Sequence, residues 1–164
     1  MKNIKTYIKK LLIGDNFVSL TCKRINGGYT SHAFILNFER SNIFIETNIR
    51  IRTSTKVLLN FNDLWINEFR EEIPDHSFNK MTNIEGSFLF HELNIVNLRC
   101  KGISVKNVML KPYGDLIIKL NNSVIIEIIN DTHLEDAVIF NITDLISSKE
   151  LSFFVENTFP KVIS

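Results

Sequence analysis

Gly114-Asp115-Leu116-Ile117-Ile118-Lys119-Leu120-Asn121-Asn122-Ser123-Val124-Ile125-Ile126-Glu127 is the stretch that decides the fold class. Two short apolar runs, rich in branched side chains, flank a pair of asparagines. Branched side chains suit a pleated surface, and asparagine tolerates the positive φ of tight hairpin turns. The stretch reads as two antiparallel strands, 116–120 and 123–129, joined by a two-residue Asn121-Asn122 turn. Pro112-Tyr113-Gly114-Asp115 supplies a further turn signal just upstream.

Working outward, the N-terminal part shows the same texture. Residues 17–23 alternate apolar and polar side chains, as a half-buried strand does. Residues 32–38 and 43–49 read as two more strands, joined by Glu39-Arg40-Ser41-Asn42, and 55–61 as a fourth. Residues 138–142 close the second group. An N-terminal helix over 4–12 carries Ile4, Ile8, Leu11 and Leu12 as its apolar stripe. A second helix follows the first strand group, capped by Asn62 or Asp63, with Trp65, Phe69 and Ile73 on one face and Pro74 past its end. A third, capped by Thr143 or Asp144, runs towards Glu156. No long helical crossovers alternate with the strands, which disfavours a parallel sheet. The expected class is α+β, mainly antiparallel β-sheet with a few helices.

Three pairs of segments suggest an internal duplication. Residues 16–25 match 94–103 through shared Asn, Val, Leu, Cys, Lys and Ile. Residues 43–46 align with 124–127, and 57–64 with 138–145. The order and nearly the spacing are kept. The expectation is one domain over 1–164 made of two related β-rich halves, about 14–75 and 92–157.

The 164 residues suffice for a sizeable core without disulfides. Nineteen basic and eighteen acidic residues give a net charge of +1, which argues against general affinity for nucleic acid. Lys2, Lys5, Lys9 and Lys10 read as a solvated helix face. The N-terminus lacks the apolar core of a signal peptide, and no segment approaches a membrane span. These features place the chain in the cytoplasm, with no membrane partner. Cys22 and Cys100, at matching places in the repeat, read as buried thiols.

Catalytic and metal-binding patterns are missing from the sequence. His32, His76, His91 and His133 have no metal-type spacing, and Gly27-Gly28 lacks the Lys-Ser/Thr of a phosphate loop. The reading is of a non-enzyme without cofactors. For the alternative of an enzyme or small-ligand binder with a pocket between the halves, Glu46 and Glu127, paired by the repeat, are the first candidates, with His91; as a rule such residues simply face solvent. Arg50, Arg52 and Lys56 form a basic run that favours a nucleic-acid-binding alternative. Two acidic groups, Glu68, Glu71, Glu72 and Asp75, then Asp131, Glu135 and Asp136, read either as solvated surface or as an anionic face for a basic partner. Trp65 beside the first group is either core or a contact anchor.

Leu12-Ile13-Gly14-Asp15-Asn16-Phe17-Val18, opening a strand set, and the 114–127 hairpin give the chain its resemblance. In style and over most of its length, it resembles the immunity proteins of bacterial contact-dependent growth inhibition systems. The resemblance implies binding and neutralisation of a cognate toxin C-terminal domain, commonly a nuclease, as a 1:1 heterodimer inside the producing cell. It carries over no individual site residues. The toxin-binding candidates are Trp65 and the two acidic groups, chosen on charge.

Overall fold

The computed structural model describes residues 2–25, 31–60, 88–130, 138–156 and 159–163. Helix α1 (Lys2–Leu12) leads into β1 (Phe17–Ile25), β2 (Ser31–Phe38), β3 (Ser41–Ile45), β4 (Asn48–Arg52) and β5 (Val57–Asn60). Helix α2 (Phe88–Cys100) then leads into β6 (Val105–Leu110), β7 (Leu116–Leu120), β8 (Ile125–Ile129), β9 (Val138–Asp144), β10 (Lys149–Glu156) and β11 (Phe159–Ile163). All pairings are antiparallel. The chain is therefore α+β and mainly antiparallel sheet.

The strands form two sheets, ordered β1-β2-β3-β9-β10-β11 and β5-β4-β8-β7-β6. Three consecutive strands start each sheet as a meander, and strands from the other part of the chain complete it, three in the first sheet and two in the second. Thus β4 and β5 leave the first meander to pair beside β8, while β9, β10 and β11 leave the second to pair beside β3. Both sheets turn one face to a single core. Phe34, Leu36, Ile43, Ile45 and Phe140 of the first sheet share one buried cluster with Ile49, Ile51, Ile118, Ile126 and Ile128 of the second. Phe140 stacks on Phe153 with centroids 4.3 Å apart.

The two helix-to-strand junctions meet each other. Each helix ends in a left-handed glycine, Gly14 (φ 79°) and Gly102 (φ 74°), a position that costs any other residue. Gly14 N–H donates to Val105 O at 2.9 Å, and Gly102 N–H to Phe17 O at 2.7 Å. Phe17 N–H donates to Ile103 O at 3.0 Å, and Val105 N–H to Asp15 O at 2.9 Å. The bonds mirror one another about an isolated bridge between Asn16 and Ser104.

The segment matches read from the sequence do not coincide with this correspondence. Residues 16–25 lie in and just before β1, whereas 94–103 lie mostly in α2 and end in its C-terminal turn. Cys22 is accordingly on a strand and Cys100 at a helix end. Leu89, Leu93, Val96 and Cys100 are buried at helical spacing, and that apolar stripe decides α2. Residues 57–60 and 138–144 form β5 and β9, which take different places in their sheets.

Three further expectations are corrected. Residues 43–49 are not one strand: the chain leaves the first sheet after Ile45 and enters the second at Asn48. The third helix is replaced by a four-residue turn and β10. The capping signal is present but closes that turn: Asp144 Oδ1 accepts from Ile146 N–H at 2.9 Å, and Oδ2 from the Ser147 hydroxyl at 2.7 Å. The 121–123 turn has three residues, with positive φ at Ser123 rather than at an asparagine. Strand β6 was not anticipated. The helix expected after Asn62 lies outside the described residues.

Candidate functional site

Two surfaces stand out. The first is built by α2 against the edge strand β1. The buried stripe of α2 faces the core, yet its outward side carries apolar residues among His91, Asn94 and Arg99: Ile95 is 37% exposed and Leu98 86%. An amphipathic helix at a protein surface normally carries polar side chains there. Asn97 sets the docking of α2 on β1. Its Oδ1 accepts from Leu20 N–H at 2.7 Å and its Nδ2 donates to Leu20 O at 3.0 Å. The amide thus occupies the backbone pair that a further strand would use. Beside this contact lies a groove of about 460 Å³ lined by Val18, Ser19, Asn94, Asn97, Leu98 and Lys101. Val18 is 41% exposed at its wall.

The second surface is the outer face of the second sheet. Across the ladder, Met109, Ile117, Glu127, Arg50 and Asn60 form one row. Asn107, Lys119, Ile125 and Arg52 form the next. Glu127 sits between two arginines: Arg50 Nε donates to Oε2 at 2.7 Å, and Arg52 Nη2 and Nε donate to Oε1 at 2.9 and 3.1 Å. The Glu127 side chain is 10% exposed, against 43% for Arg50 and 34% for Arg52. Burial pushes the Glu127 carboxyl up, but the hydrogen bonds and charges of Arg52 and Arg50 outweigh it and hold the group below the ordinary glutamate range.

These contacts separate the candidates read from the sequence. Glu127 is clamped at mid-strand, while Glu46 is exposed on the link between β3 and β4 and His91 is exposed on α2. The two glutamates do not occupy matching places. Arg50 and Arg52 do share a face, and Lys56 follows in the β4–β5 turn. Burial pushes the Cys22 thiol up to about 12; it pushes the Cys100 thiol to about 11, against smaller lowering effects from Asn122 and Arg99. Both are poor nucleophiles at neutral pH. Among the described residues, no group of three or more His, Cys, Asp or Glu side chains is placed to hold a metal ion, and no helix is long and apolar enough to cross a membrane.

Trp65, Glu68, Glu71, Glu72, Asp75, Asp131, Glu135 and Asp136, the toxin-binding candidates, all lie outside the described residues. The α2–β1 surface was missed because the repeat matched 94–103 to the strand-bearing stretch 16–25, which hid its helical spacing. The helical spacing of Leu89, Leu93 and Val96 was the signal that points Leu98 outward.

No protein-family model matches the chain, nor does any curated protein or solved structure.

Proposed function

We propose that this chain is a protein-binding protein that neutralises a bacterial toxin domain, and that it engages its partner through the α2–β1 surface. One observation carries the reading: α2 places Ile95 and Leu98 on its outward side, with Leu98 86% exposed beside the groove at Val18. Exposed apolar side chains rimmed by polar ones are a common mark of a protein interface. Asn94, Asn97, Ser19 and Lys101 supply that rim. A stable complex needs roughly 1,200–2,000 Å² of buried surface, so the groove serves as the centre of a larger contact. Leu98 and Val18 are its anchors, and the surrounding amides give orientation.

Co-expression with a toxin C-terminal domain, sought beside the gene, tests this. The wild-type chain restores growth, and the double substitution Val18→Asp with Leu98→Asp abolishes rescue while the melting temperature stays within a few degrees. Failure of the wild-type chain to rescue defeats the toxin-neutralising reading. Rescue that survives the double substitution moves the interface elsewhere.

A further inference from the structure

The outer face of the second sheet has features that the α2–β1 surface does not use. Arg50, Arg52 and Lys119 share it, and Glu127 is the one carboxylate in their two rows. Lys119 and Arg52 flank Ile125, so they stand two strands, or about 10 Å, apart. The β4–β5 turn brings exposed Lys56 to the same end of the sheet, and the bulge between Val105 and Asn107 brings exposed Lys106. On a chain of net charge +1, this is a local concentration of cations.

Glu127 does more than offset charge. It takes the Nε edge of Arg50 and fixes a long side chain that is otherwise rich in rotamers. The two Nη groups of Arg50 make no hydrogen bond among the described residues, and the side chain is 43% exposed. A guanidinium held by one edge keeps its outer edge for a second carboxylate, in the planar two-bond geometry that arginine favours. Ordering the side chain in advance removes a cost that binding would otherwise carry.

We infer that this face, centred on Arg50, is a docking surface for an acidic protein partner. Charge complementarity selects an anionic occupant. The side chains between the cations select protein over single-stranded nucleic acid. Met109, Ile117 and Ile125 are aliphatic or thioether groups, and neither row carries an aromatic ring on which a base would stack. The inference concerns a different surface from the toxin-neutralising reading and stands or falls separately.

The test is an NMR titration of the full chain with an N-acetylated hexaglutamate peptide, with a ten-nucleotide oligothymidylate as comparison. The expected result is peptide-induced shifts at Arg50, Arg52, Ile117, Lys119 and Ile125 that fade as salt is raised. Arg50→Ala should weaken the peptide about tenfold, and Arg50→Lys by less, both with an unchanged fold in the spectrum. Absence of binding, shifts centred elsewhere, or Arg50→Ala binding like wild type each overturns the inference. Tighter binding of the oligonucleotide at the same face overturns it in favour of a nucleic-acid surface.

Discussion

Five strands of each sheet connect in the same order, with β11 an addition to the first, but the two sheets present different outer faces. In the first sheet, the central outward row is Thr21, Ile35, Phe44, Asn141 and Ser152. The same row of the second sheet is Met109, Ile117, Glu127, Arg50 and Asn60. Phe44 and Asn141 thus hold the places of Glu127 and Arg50, and Thr143 the place of Arg52. One architecture accepts both sets. Its requirements end at the inward rows of isoleucine, leucine and phenylalanine, and the outward rows are free to serve something else. A second contrast lies at the junctions. Asp15 is buried and accepts from Asn16 N–H, Arg40 N–H and the Ser41 hydroxyl, fixing the β2–β3 turn. Its counterpart Ile103 makes only backbone hydrogen bonds, and its side chain packs against the core.

That second contrast predicts the largest stability effect. Asp15→Ala strips a buried turn of its acceptor and should cost about 3 kcal/mol, because buried donors left unpaired are expensive. Ile103→Ala, at a half-buried site, should cost about 1 kcal/mol. Chemical denaturation of both variants checks the difference, and equal losses would erase the asymmetry.

The helix–edge contacts come next. Asn97→Ala deprives both backbone groups of Leu20 of their partner and should cost about 2 kcal/mol. Lys9 on α1 holds the matching place opposite β6 and lines a groove of about 190 Å³ there. Lys9→Ala should cost under about 0.5 kcal/mol, as at most exposed sites. Asn97→Ala also uncovers part of the β1 edge, so concentration-dependent light scattering should rise for that variant only.

A smaller effect is pH-dependent and confined to the second sheet. The folded Glu127 carboxyl lies below its ordinary value of about 4.5. Its contribution is therefore complete above that value and is lost as pH falls through the folded value. Hydrogen exchange at β4 and β8 should accelerate over that acid range, and Glu127→Gln should flatten the dependence. An unchanged acid profile in Glu127→Gln would show that the arginine clamp contributes nothing to β4–β8 pairing.

The hairpins of the fold could be read from the sequence because short runs rich in branched and aromatic side chains, at 116–120 and 32–38, are bounded by turn residues. The crossing between sheets could not. Ile43, Ile45, Ile49 and Ile51 keep the same parity through Glu46 and Thr47, since both sheets face one core and a strand that changes sheet keeps its apolar side inward. Helix α2 was lost to a chance identity: Asn-x-Val-x-Leu-x-Cys-Lys is shared by 16–23 and 94–101, but the burial that matters in α2 runs at intervals of three and four. Asp144 illustrates a general ambiguity, as an Asp side chain that accepts from N–H groups two and three residues on starts a helix or closes a turn equally well. The candidate surfaces were only partly visible. Arg50 and Arg52 were noted as a basic run, but their partner Glu127 is 75 to 77 residues away and meets them only through β4–β8 pairing.

The most direct measurement exchanges one outer face for the other. The triple variant Arg50→Asn, Arg52→Thr and Glu127→Phe gives the second sheet the residues that occupy the same places in the first. Ion pairs with partly exposed arginines contribute little to folding, although Asn141 shows that the imported amide can hold a buried, unpaired Oδ1. Denaturation should show a loss below about 2 kcal/mol, together with complete loss of hexaglutamate binding. A variant that unfolds, or one that folds and still binds the peptide, contradicts the claim that the charged trio serves the surface rather than the fold.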